Sequence, residues 1–197
     1  MLRLVFLATA LLSAAATAAH AHTGIGDTAG FALGFGHPLG GIDHVLVMVA
    51  VGLFAVQLGG RALWLVPLSF VSVMIAGGAL GLAGIEVPFV EVGIALSVVV
   101  LGFAVALRLH IPTAAAMALV ALFAIFHGHA HGAEMPESAL GLAYGAGFVL
   151  ATALLHALGI GLGLGIGKAG TAVGQRALQT AGSAMALAGI AILIGYW

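Results

Sequence analysis

Apolar residues do not alternate along this chain or recur on one helical stripe. They come in long, nearly unbroken blocks separated by short polar punctuation. After a first segment, six blocks reach spanning length, at about Phe31–Val56, Leu63–Leu82, Val87–Leu107, Pro112–Ala133, Ala139–Gly165 and Ala177–Tyr196. In hydrocarbon each backbone amide must be satisfied within its own segment, so blocks of this length predict helices. The expected fold is all-α, a polytopic transmembrane bundle of six spans in one domain, residues 22–197. The connections are short and carry the turn formers, as in Gly59–Gly60–Arg61 and Gly84 to Glu86.

The first segment reads differently. Met1 to Ala21 holds one basic residue (Arg3), an apolar run from Leu4 to Leu12 and a tail of small residues, the pattern of a signal peptide over residues 1–21. Cleavage after Ala21 leaves His22 at the amino terminus, and cleavage after Ala19 leaves His20; an uncleaved first helix is the competing reading. With a signal peptide removed, the mature amino terminus starts outside and six spans assign each loop to a side. Arg61, Arg108, Lys168 and Arg176 then all fall inside, as the positive-inside rule requires. Asp27, Glu86, Glu134 and Glu137 fall outside or at its edge. The expected location is the bacterial inner membrane, with both mature termini periplasmic.

Composition sharpens this picture. Of 197 residues 63% are hydrophobic and 6% charged, and the mean hydropathy is +1.28, too little polar surface for a soluble globule. A net charge of −1 without a basic run excludes nucleic-acid binding. With no cysteine, thiolate zinc sites, disulfides and iron–sulfur clusters are excluded. Any metal must be held by nitrogen and oxygen, with methionine sulfur in reserve. Glycine is abundant at 31, and in a bilayer it serves close helix approach. Gly159, Gly163 and Gly167, and also Gly141 and Gly145, repeat at four-residue spacing as packing faces. Oligomerisation through such faces is compatible with this pattern. The run ending Gly167–Lys168 is not a phosphate loop, because Leu162 and Ala169 replace required residues.

Nine histidines are the unusual figure. Five of them gather in two clusters with carboxylates. His37–Pro38–Leu39–Gly40–Gly41–Ile42–Asp43–His44 lies in the outer half of the first span, where His37 and His44, seven apart, share a helix face. Pro38 and the paired glycines can bring Asp43 round to them. A carboxylate at this depth should face the interior and have a partner; a purely structural Asp43–His44 pair is the plainer alternative. In the second cluster, Phe126–His127–Gly128–His129–Ala130–His131–Gly132–Ala133–Glu134, the residues His127, His131 and Glu134 stand at i, i+4 and i+7 on one face. A solvated histidine-rich loop is the alternative there. His129 points away and reads as interfacial. Glu91 sits early in the third span, level with these ligands. His22 could add an amino-terminal grip once processing exposes it. His156 lies beyond the midplane, as an inner exit step or as a donor to a nearby carbonyl. His110 reads as interfacial, and Met48 and Met74 as packing.

Together these motifs resemble the HupE/UreJ family of bacterial nickel and cobalt permeases. The match is carried by His37, Pro38, Gly41, Asp43 and His44 and by Phe126, His127, Gly128, Ala130, His131, Gly132 and Glu134, and it extends across the chain. The resemblance implies import of Ni(II), or Co(II) in some members, as substrate, with His37, Asp43, His44, Glu91, His127, His131 and Glu134 as functional positions. It implies neither catalysis nor a prosthetic group. Mixed imidazole and carboxylate sites suit Co, Ni, Cu and Zn alike. Downhill flux and proton coupling both remain open. Rivals from other classes are a haem-binding membrane subunit, an intramembrane metalloenzyme and a scaffolding subunit; the second lacks a His-Glu-x-x-His sequence.

Overall fold

The computed structural model describes residues 27–135, 141–168 and 172–195. The signal segment, His20, His22 and Glu137 lie outside them. The described residues form seven helices: α1 (Asp27–Gly40), α2 (Ile42–Leu58), α3 (Ala62–Leu82), α4 (Val90–Ala106), α5 (Thr113–Ala133), α6 (Gly141–Lys168) and α7 (Ala172–Gly195). No strand occurs among them. Helices α3, α5, α6 and α7 are each long and apolar enough to cross a membrane, and α1 with α2 makes a fifth such unit as a bent pair. The stretch expected as one helix from Phe31 to Val56 is therefore broken. Helix α4 holds 17 residues, about 25 Å at 1.5 Å per residue, shorter than α3, α5, α6 and α7.

Helix α2 is the hub. Val47 to Ala55 are almost wholly buried, as expected of a helix that is apolar on every side. It packs on α6, α4 and α3, while α3 pairs most extensively with α5, α4 with α7, and α1 with α6. Two glycines at positive φ, Gly59 and Gly60, turn the chain from α2 into α3. The side chain of Gln57 donates to the carbonyls of Ala104 and Leu109, tying α2 to the end of α4 and the turn beyond it. Outward faces carry Trp64, Leu68, Ile75, Leu122 and Leu154, all more than half exposed and suited to lipid.

The α3–α5 seam sets the position of the histidines. A Cβ added at Gly77 would strike the Ile125 carbonyl, and one at Gly128 would strike that of Met74; Gly81 and Gly132 are equally enclosed by opposing backbone. The two helices meet backbone to backbone, which only residues without a side chain permit. Gly52 and Gly159 do the same between α2 and α6, and Gly163 lies on Val56. Gly145 faces open space and Gly141 touches only Met135, so the expected packing role there passes to Gly147, set against Phe31 and Phe35.

Candidate metal centre

The centre begins at a break in the backbone. Gly40 ends α1, Gly41 is extended (φ −101°, ψ 118°), and α2 leaves at 83° to its predecessor. His37 and His44 therefore do not share a helix face; they belong to different helices and converge because of the bend. A Cβ on Gly41 would collide with Asp43 Oδ1. Glycine there lets the carboxylate fold back over the first turn of α2, where a negative charge is favoured by the free amide groups. Asp43 Oδ1 accepts from the His44 backbone N–H at 2.8 Å and stands 3.2 Å from His44 Nδ1.

Opposite, α5 presents His127, His131 and Glu134 at its outer end. His44 Nε2 lies 2.5 Å from His131 Nε2 and 2.8 Å from His127 Nδ1. Ser97 on α4, which the sequence reading did not include, lies 2.8 Å from His127 Nε2. The protons can be assigned from partners. The Ser97 hydroxyl donates to the Ile94 carbonyl, so its oxygen accepts from His127 Nε2–H. This leaves His127 Nδ1 as a lone pair. His44 Nδ1–H donates to Asp43, leaving its Nε2 as a lone pair as well. The lone pairs of His44 Nε2 and His127 Nδ1 thus face each other with His131 Nε2 beside them, an arrangement that a shared proton or an entering cation relieves. Imidazole nitrogens bound to one ion at about 2.0–2.1 Å lie roughly 2.9–3.3 Å apart, so accepting it requires only a small spreading of these rings.

A second set stands above the first. His37 Nε2–H donates to Glu134 Oε2 at 3.2 Å, and the His37 ring meets that of His131 edge-on at 4.6 Å. Ligand atoms of His37, His131 and Glu134 all lie within 4.8 Å of one another. His131 belongs to both sets, and its Nδ1 is buried without a hydrogen-bond partner. Side-chain exposure falls from 58% at Glu134 and 31% at His37 to 6% at His44, and His127 is fully enclosed. The sets therefore run inward from an open mouth. A cavity of roughly 410 Å³ lies over them, lined by His37, Asp43, His44, Glu91, His131 and Glu134 among others.

Other candidates separate from this group. His129 Nε2–H donates to the Ile85 carbonyl at 2.8 Å, a local tie between loop and helix. His110 Nδ1–H donates to the Arg108 carbonyl. Met48 is buried, and Met74 receives the Thr152 hydroxyl at 3.8 Å. The one sign of Ser97 in the sequence is that it is the sole hydroxyl in an otherwise apolar helix carrying Glu91 at its start.

A family model described as HupE / UreJ protein matches residues 9–192. Protein HupE of Rhizobium leguminosarum bv. viciae is 50% identical over 178 residues, covering 90% of this chain and 91% of that one. No solved structure matches.

Proposed function

The chain belongs to the HupE/UreJ family, and from that premise we propose that it is an inner-membrane permease importing a divalent transition-metal ion, with Ni(II) the first candidate and Co(II) the second. The observation that carries this reading is the convergence of the His44, His127 and His131 ring nitrogens beneath a carboxylate-lined cavity at one end of the bundle. Imidazole selects borderline ions over Mg(II) and Ca(II), which prefer all-oxygen shells.

In this mechanism all six blocks span, α4 included, and the cavity faces the periplasm. A hydrated ion meets Glu134, His37 and Glu91 first, where charge offsets the loss of water. His131 hands it inward to His44 and His127. Asp43 acts chiefly through His44: by holding Nδ1–H it fixes the tautomer that turns a lone pair on Nε2 toward the ion, as outer carboxylates do in histidine metal sites. The donor set is open on one side and shares His131 between two positions, which suits an ion that must leave again. His22 is retained as an added amino-terminal ligand in the processed protein. The haem alternative fits poorly, because facing rings with nitrogens 2.5–2.8 Å apart leave no room for a macrocycle between them.

The test is accumulation of radioactive nickel and cobalt in bacteria lacking their own importers. Wild type should accumulate at least one of the two, whereas Asp43→Ala and His131→Ala should fall to background and His129→Ala should not. Failure of the wild type to accumulate either ion, with the protein present in the membrane, overturns the proposal.

A further inference from the structure

Below the outer cluster one histidine is unaccounted for. His156 on α6 is 2% exposed, and neither ring nitrogen has a hydrogen-bond partner. The carbonyl bond that would make it a structural residue is not formed. A neutral imidazole carries one donor and one acceptor, and enclosing both unpaired is unfavourable. A leucine of similar size would fill the same space without that cost, so its place in the core calls for another use.

Its surroundings suggest which. One helical turn away on the same face of α6, the fully buried Thr152 points its hydroxyl at the Met74 sulfur, 3.8 Å away. Facing this pair across the interface, α3 carries Phe70 and Met74, again one turn apart. The Phe70 ring meets His156 edge-on at 5.3 Å and also contacts His127 at 5.7 Å. Phe70 therefore stands between the lowest imidazole of the outer cluster and His156. Met74 also borders a lateral cavity with His131, so its side chain adjoins the outer cluster as well as Thr152.

We propose that His156, Met74 and Thr152 form a second, inner cation site of nitrogen, sulfur and oxygen character, reached from His127 and His131 past the Phe70 ring. It rests on the metal-permease reading and adds a resting place in the inner half of the path. A thioether makes the inner site softer than the carboxylate-rich mouth, and the absence of a carboxylate makes it weaker for a divalent ion. The ion is thus held long enough to cross the midplane and released readily on the far side.

The experiment uses the purified full chain in lipid nanodiscs with Co(II) as probe. Bound ions are counted by equilibrium dialysis and sulfur ligation is read by X-ray absorption. Wild type should bind two ions and show sulfur scattering. His156→Leu should bind one and unfold at a higher temperature than wild type, since an unpaired polar group has been removed. Met74→Leu should lose the sulfur signal. His156→Gln, which keeps a polar side chain but ligates poorly, should also bind one ion. The double variant Asp43→Ala/His131→Ala should retain one ion together with the sulfur signal. If His156→Leu and His156→Gln bind as many ions as wild type, or the sulfur signal persists in Met74→Leu, the inner site is wrong while the outer one stands. If wild type binds no Co(II), both fall.

Discussion

At the scale of single residues, the distribution of protons matters as much as the distribution of ligands. His44 offers its Nε2 because Asp43 holds the other nitrogen, and His127 offers Nδ1 because Ser97 receives its Nε2–H. Replacing either outer partner should leave the rings in place but free the tautomers. Ser97→Ala and Asp43→Asn are each expected to weaken Co(II) binding about 10–100-fold with little change in folding, measured by competitive titration in detergent. Gly41→Ala should act like Asp43→Asn, because the new methyl displaces the carboxylate oxygen. Rescue of Gly41→Ala binding to wild-type strength would refute that geometry. The triad His127, His131 and Glu134 is legible in the sequence because helical periodicity alone sets its directions. The meeting of His37 with this triad is not, since it depends on an 83° bend whose size no spacing encodes. Ser97 was hidden for a related reason. A lone serine in a membrane helix ordinarily bonds the carbonyl one turn back, as this one does to Ile94, and its second partner comes from a neighbouring helix.

At the scale of elements, the glycine seams act as rulers. The α3–α5 contact is close enough that a single methyl at Gly128 meets backbone, which cannot swing aside like a flexible side chain. Gly128→Ala should therefore destabilise the bundle by roughly 1–3 kcal/mol and shift His127 and His131 away from His44. Thermal unfolding in detergent measures the first effect and loss of Co(II) binding the second. Gly145→Ala, in open space, serves as the contrast and should be neutral or slightly stabilising. Four-residue glycine spacing predicts that helices approach closely but does not say which of several glycine faces is covered. On α6 that choice depends on the direction in which α1 lies after its bend, so Gly147 is covered and Gly145 is not.

At the scale of the whole molecule, the block pattern made the helical character and most boundaries readable, to within a few residues at α3, α5 and α6. It could not show the break in the first block or the shortness of α4, because both arise from how local turns fit together: Gly41 extended at one, Phe89 at positive φ opening the other. The bundle also divides by charge along its length. The carboxylates lining the cavity, Asp43, Glu91 and Glu134, gather at one end, whereas the core around and beyond His127 holds His156, Thr152, Met74 and Phe70, none with a fixed charge. On the proposed path, a divalent ion descending past His127 would leave its countercharges behind and carry two positive charges through the inner half. Its passage is then an electric current, favoured by about 4.6 kcal/mol for each 100 mV of inside-negative voltage. In proteoliposomes clamped with valinomycin and potassium, Ni(II) or Co(II) uptake should rise as the interior is made negative and stall when the voltage is set to zero. Uptake indifferent to voltage would mean that a compensating charge moves with the ion or against it.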